Sequence, residues 1–173
     1  MNVNLQPTLV GKNISLRPLK QSDFLALYEA ASDPEVWAMH PDSCRYKKEI
    51  FEKRFFSGAI TSGSALAVLD SESGEIIGSS RFYDCNSDKK EIAIGFTFLA
   101  CAYWGNGTTN EMKELMLKHV SAFAKTVWFH VGEANFRSCK AVEKLGAIVS
   151  HKEDRELEGR PFVQVFYKLD ISG

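Results

Sequence analysis

One stretch constrains this chain more than any other. From Leu99 to Glu111 an apolar strand pattern stops, a glycine-bearing loop turns, and a helical stripe begins at once. Glu91 to Leu99 is rich in Ile, Phe and Thr and reads as a long strand, while Met112, Leu115, Met116, Val120 and Phe123 recur at helical spacing. Between them stands Tyr103-Trp104-Gly105-Asn106-Gly107. Gly105 and Gly107 lack Cβ atoms, so a ligand can approach the backbone closely. Free amides from Trp104 to Asn110, with the positive end of the helix dipole behind them, suit a phosphate or pyrophosphate. Thr108 and Thr109 add hydroxyl donors. The same segment is equally compatible with a tight turn and nothing more. It is not a P-loop, because Gly-x-x-x-x-Gly-Lys-Ser/Thr is missing, and Asn110 stands where a dinucleotide fingerprint would need its third Gly.

The remaining chain surrounds this unit with strands and helices. Asn13 to Pro18 alternates as a strand, and Ser22 reads as the N-cap of a helix carrying Phe24, Leu27, Tyr28 and Ala31, which Asp33-Pro34 closes. A second helix is expected over Lys48 to Ile60. Ala65 to Leu69 and Glu75 to Phe82 read as a hairpin turning at Ser71 to Gly74, with a polar turn at Asp84 to Asp88. Thr126 to Val131 is a strand, Asn135 caps a helix that ends at Gly146, and Ala147 to Ser150 and Phe162 to Leu169 are the last strands. The order is β-α-α-β-β-β-α-β-α-β-β. It predicts an α+β fold with a mostly antiparallel sheet of six to seven strands, about four helices, and one central strand-loop-helix-strand crossover.

With 173 residues, no repeat and no linker, one domain over 1–173 is the simplest reading. Lys plus Arg is 21 against 22 Asp plus Glu, a net charge of −1 that argues against nucleic acid as a partner. The polar start, Met1 to Gln6, lacks a signal pattern, and no apolar run reaches membrane-spanning length. Cys44, Cys85, Cys101 and Cys139 form no Cys-x-x-Cys pair, which suits reduced thiols in the cytoplasm. His119, His130 and His151 have no ligand spacing, so no metal is assigned.

Four pieces in order resemble the GNAT N-acyltransferases, in the branch of the RimJ/RimL type. They are Leu16-Arg17-Pro18-Leu19 with Ser22-Asp23; Gly74-Glu75-Ile76-Ile77-Gly78-Ser79; Ile94-Gly95-Phe96 through Trp104-Gly105-Asn106-Gly107 and Asn110-Glu111; and Asn135-Phe136-Arg137-Ser138 with Glu143-Lys144-Leu145-Gly146-Ala147. The likeness runs from Leu16 to Leu169. It departs from the family pattern where Trp104 and Thr109 occupy the ends of the usual Gln/Arg-x-x-Gly-x-Gly/Ala loop. Val142 stands where many relatives have Tyr, Ala147 where they have Phe, and Ala93 where they have Glu.

The resemblance implies acetyl transfer from acetyl-CoA to an amine by direct attack, in a monomer or a homodimer. The acceptor is a small molecule or a peptide or protein N-terminus; the alternative is a module of this fold that binds CoA or an amine without turnover. The pantetheine arm is then expected along Thr97, Phe98 and Leu99, with a backbone amide there as oxyanion donor. The pyrophosphate is expected over Trp104, Gly105, Asn106, Gly107, Thr108, Thr109 and Asn110. Asn135 holds pantetheine and water, and Arg137 and Lys140 meet the 3′-phosphate, with Lys144 on the solvated side. Ser138 is either a helix-start residue or the proton donor to the thiolate, and Glu91 either a surface carboxylate or the base. His40 is expected to bind or deprotonate the acceptor, or to be idle. Arg81 recognises a carboxylate or pairs with Asp84, and Trp37 and Tyr83 are pocket walls or core.

Overall fold

The structure, a computed structural model, describes residues 3–172; Met1 and Asn2 of the polar start, and Gly173 at the end of the expected 1–173 domain, lie outside the described residues. The chain builds one sheet of eight strands: β1 (Leu9–Val10), β2 (Ile14–Pro18), β3 (Ala65–Asp70), β4 (Ile76–Asn86), β5 (Glu91–Leu99), β6 (Thr126–Gly132), β7 (Ile148–Leu157) and β8 (Arg160–Asp170). Their spatial order is β1-β2-β3-β4-β5-β6-β8-β7. Every pairing is antiparallel except β5 with β6. The eighth strand, beyond the six to seven expected, is the short β1, too brief to show a period. The closing hairpin is also much longer than Ala147 to Ser150 and Phe162 to Leu169 suggested. Residues 151–156 are exposed on both faces, so no apolar alternation marks them as strand.

The helices are α1 (Phe24–Ala31), α2 (Pro34–Trp37), α3 (Lys48–Phe51), α4 (Ser57–Ser62), α5 (Thr108–Val120) and α6 (Phe136–Lys144), with a π-turn, Glu52–Phe56, joining α3 to α4. Two starts differ from expectation. Ser22 is not a cap: Gln21–Asp23 forms a 3-10 turn, and Asp23 takes the Lys20 N–H at 2.8 Å and both terminal nitrogens of Arg17. Asp33-Pro34 not only ends α1 but starts α2, since Asp33 accepts from the Glu35 amide at 2.9 Å and Pro34 suits the first helical position.

Strand alternation sends side chains to two cores. Ile14, Leu16, Leu66 and Val68 face α5 and α6, where Met112, Met116, Val120 and Val142 are buried. Ala65, Ala67 and Phe98 face α1 to α4 and meet Trp37, Phe51, Phe55 and Phe56, whose rings stand 5–7 Å apart in tilted, stacked and edge contacts.

Two irregularities in β5 open one of its edges. The strand pairs with β6 only from Glu91 to Ala93, opposite Thr126 to Trp128, whereas β6 runs on beside β8 to Gly132. Its register to β4 slips between Arg81↔Gly95 and Ser79↔Phe98, so Phe96 and Thr97 together oppose Ser80; Phe96 takes φ 49 to allow it. This is a β-bulge, which bends the strand and re-aims its side chains. Beyond Ala93 the edge of β5 facing β6 has no strand partner among the described residues.

Gly78 faces this bent end. A Cβ there would stand 2.1 Å from the Phe98 carbonyl oxygen and 3.1 Å from the Leu99 Cα, both backbone atoms that cannot swing away. Gly78→Ala is therefore expected to cost about 3 kcal/mol in urea unfolding. Gly63→Ala, at φ 63 with open space around it, should cost only the ~1 kcal/mol of a left-handed backbone.

Candidate active site

A cleft of about 690 Å³ opens where β5 leaves β6. The end of β5 (Thr97, Phe98, Leu99) forms one wall and α6 the other, through Asn135, Arg137, Ser138 and Lys140; the loop before α5 lies between them. A second cavity of about 340 Å³ shares His40, Thr97, Lys113 and Ser138 with the first and reaches Arg45, Tyr83, Phe96 and His130.

In the loop, Gly105 and Gly107 adopt φ 72 and 86. Asn106 Oδ1 accepts from the Thr108 amide at 3.2 Å and the Thr108 hydroxyl at 2.6 Å. Thr108 is buried and its hydroxyl is committed to Asn106, so that hydroxyl is not free for the phosphate expected of it. The Trp104 amide is also engaged, with the Cys101 carbonyl at 3.1 Å. The amides of Gly105, Asn106, Gly107, Thr109 and Asn110 have no hydrogen-bond partner among the described residues. This cluster sits at the positive end of α5, a helix of 13 residues. The Asn110 side chain is occupied with Glu114. Glu111 accepts from Asn13 and Ile14, which ties α5 to the start of β2.

The Trp104 indole donates to the Leu99 carbonyl at 3.0 Å and is half-buried against both cores, which holds it on the wall of the cleft. Leu99 is thus partly taken. The Arg137 guanidinium stacks 3.5 Å over that ring and links the loop to α6. Asn135 caps α6 by accepting from the Ser138 amide, while the Ser138 hydroxyl, facing both cavities, makes no hydrogen bond among the described residues.

Three expectations need correction or narrowing. Glu91 is not at the cleft; it borders a separate hollow with Cys85, Lys90 and Lys125. The cleft begins only where pairing with β6 ends, and Thr97 stands six residues on from Glu91, at most about 20 Å away at ~3.3 Å per residue. Arg81 does not line either cavity and forms no ion pair with Asp84 among the described residues. It is buried behind Phe96, 3.9 Å from the ring, and its Nε has no partner; burial, with Arg45 nearby, lowers its pKa to about 10. His40 faces both cavities, but its Nδ1 accepts from the Asp42 amide at 2.9 Å, which leaves the proton on Nε2. Burial, followed by the charge of Arg45, lowers its pKa to about 4. His40 is therefore a neutral donor that can bind an acceptor but not deprotonate it.

The residue that sequence reading passed over is Lys113. It is buried on the inner side of α5, at the junction of the two cavities, with Nζ 3.1 Å from Thr97 Oγ1 and 5.2 Å from the Phe129 ring. Thr97 Oγ1 is in turn 2.8 Å from Ser80 Oγ. The available signal was its helical spacing from Thr109 and Met116, which puts a lysine on the inward face. His130 was likewise weighed only as a metal ligand; it lines the second cavity, and burial lowers its pKa. Tyr83 lines it too, with burial pushing its hydroxyl pKa up.

Burial lowers the Lys113 pKa from 10.5 to about 8, so the ammonium persists at neutral pH. The unfolded chain binds more protons between pH 8 and 10.5, so this group makes stability rise with pH across that window. Lys113→Met should abolish the rise. In urea unfolding, its advantage over the parent should shrink by about 3 kcal/mol from the bottom to the top of the window.

The acetyltransferase (GNAT) domain family matches residues 13–148. No curated protein matches the chain. Among solved structures it is similar to a GCN5-related N-acetyltransferase from Brucella melitensis, at TM-score 0.84 and 18% identity over 95% of this chain and 79% of that one. It is similar to spermidine N-acetyltransferase from Vibrio cholerae in complex with CoA and spermine, at TM-score 0.72 and 14% identity over 94% and 98%. It is also similar to RimL, a ribosomal-protein alpha-N-acetyltransferase in complex with CoA, at TM-score 0.76 and 15% identity over 95% and 98%. At these identities the structural likeness is one of fold, and the domain match carries the assignment: spanning the opened strand, the loop and all of α6, it means that this chain belongs to the GNAT acetyltransferase family.

Proposed function

We propose that this chain, as one domain, is an acetyl-CoA-dependent N-acetyltransferase that brings donor and amine together in a ternary complex. One observation carries the reading: a run of open amides at the head of α5 and the unpaired edge of β5 line a single cleft, and a second cavity joins it at Thr97 and Ser138. A diphosphate fits the amides, and an amide-bearing chain fits the free strand edge. Bound there, the acetyl thioester supplies an electrophilic carbonyl. Thr97 and Leu99 offer main-chain partners for the arm, with Leu99 O shared with Trp104 and the Phe98 carbonyl turned toward Gly78. Arg137 and Lys140 stand at the cleft as cations for a further phosphate.

The second cavity takes the amine. With Glu91 remote and Nδ1 of His40 committed, the neutral imidazole of His130 is the side chain placed to receive the amine's proton, directly or through water. The unpaired Ser138 hydroxyl faces the boundary between the cavities, where the thiolate would leave. The acceptor is a small amine or a peptide N-terminus. Likeness to RimL supports the RimJ/RimL branch, and the Vibrio cholerae enzyme supports a small amine. We place the protein in the cytoplasm on the strength of its free cysteines. A non-catalytic module is the second reading, favoured by the lack, among the described residues, of a carboxylate on the wall of the second cavity.

Calorimetry with CoA and acetyl-CoA tests the donor site, and no binding at millimolar ligand overturns the proposal. Thiol release across an amine panel separates enzyme from module. Arg137→Ala should weaken CoA about tenfold and 3′-dephospho-CoA little, the signature of one charge-assisted phosphate contact; equal losses would mean that stacking on Trp104 is its role. Ser138→Ala should lower kcat about 100-fold with CoA affinity kept; a fall of less than threefold removes the proton-donor role.

A further inference from the structure

The second cavity has an unbalanced charge. Lys113 reaches it from α5, and among the described residues it has no carboxylate partner and only Thr97 Oγ1 as acceptor. Arg81 lies behind Phe96, outside the lining, and is equally without a carboxylate among the described residues. Arg45 also lines the cavity, and its partner Asp42 is shared with Arg54. Glu158, which reaches Arg54 at 3.3 Å, is mostly solvent-facing, and Asp84 is exposed and outside the wall. No Asp or Glu lines the cavity among the described residues.

Buried cations without counter-ions are costly, and an incoming anion relieves that cost. An amine that carries a second positive charge would meet the unpaired ammonium of Lys113, with no carboxylate among the described residues on the cavity wall to neutralise it. Thr97 Oγ1, bonded to Lys113 Nζ, also places this ammonium beside the strand end where the acetyl group would be delivered.

We propose that Lys113, backed by Arg81 and Arg45, forms an anion subsite in the acceptor cavity, so that the acceptor is an amine bearing an anionic group, a carboxylate or a phosphonate, and not a polyamine. This rests on the acetyltransferase reading and specifies its acceptor class.

The test is calorimetric titration into CoA-saturated protein, which needs no turnover. The probes are α-amino acids, each matched with its primary amide, together with 2-aminoethylphosphonate and spermidine. The amino acids or the phosphonate should bind at least about tenfold more tightly than the amides, the scale of one charge-assisted hydrogen bond, with spermidine weakest. Which anionic probe binds distinguishes the two sources of charge, and either supports the subsite. In Lys113→Met the preference for the anion should fall to within about threefold, through loss of anion affinity alone; Lys113→Gln gives the same reading if that variant fails to fold. Initial rates on the amino acid and amide pairs should follow the same ratios through KM. Equal or tighter binding of amides or spermidine overturns the inference, as does a preference that survives both variants, or a CoA-loaded protein that binds no anionic amine. In those cases CoA still binds and the acetyltransferase reading stands; if CoA itself does not bind, both fall together.

Discussion

Everything distinctive about this molecule depends on the place where β5 stops pairing with β6. The two strands lie parallel for three residue pairs, and the bulge at Phe96 then turns β5 away. Backbone groups left unpaired in a protein interior need partners. Here the protein does not supply them along one edge of a strand, and it also leaves a row of amides open at the head of α5. The two deficits face one cleft, so a ligand with a diphosphate at one end and amides along its length satisfies both.

The helices on the two sides of the sheet have different tasks. On one side α5 and α6 bury Met112, Met116 and Val142, and they bring Lys113, Asn135 and Ser138 to the cleft. On the other, the rings of Trp37, Phe51, Phe55 and Phe98 form a dry wall. That dryness raises the electrostatic stakes. It keeps His40 neutral and leaves Arg81 with a polar atom unpaired, while burial beneath α5, beside Phe129, holds Lys113 well below an ordinary lysine. A charged group in such surroundings costs stability unless a ligand completes its coordination, and sites that bind or react tend to be where proteins accept that cost.

Much of this was readable from residue order. The strand, glycine loop and helix from Glu91 to Val120 stand where spacing put them, as do the Asn135 cap and the single parallel crossover. Local rules suffice for these because backbone conformation and helix ends are decided by near neighbours. The failures share a different cause. Thr108 has the right chemistry for a phosphate donor, yet its hydroxyl is drawn to Asn106 two residues away. Glu91 has the right chemistry for a base, yet it lies in the part of β5 that still pairs with β6. Lys113 has a spacing that puts it on the inward face of α5, and only packing against Phe129 and Thr97 makes it an interior cation at a cleft.

Residue order alone therefore established an α+β chain with a glycine loop at the head of a central helix, since turns, caps and apolar periods act over a few residues. The extent of pairing between β5 and β6, the joining of two cavities at Thr97, and the burial of Lys113 were settled in three dimensions. Each depends on groups far apart in the chain, such as Ser80 with Thr97 or His40 with Ser138, and on the low dielectric that exists only once they are assembled.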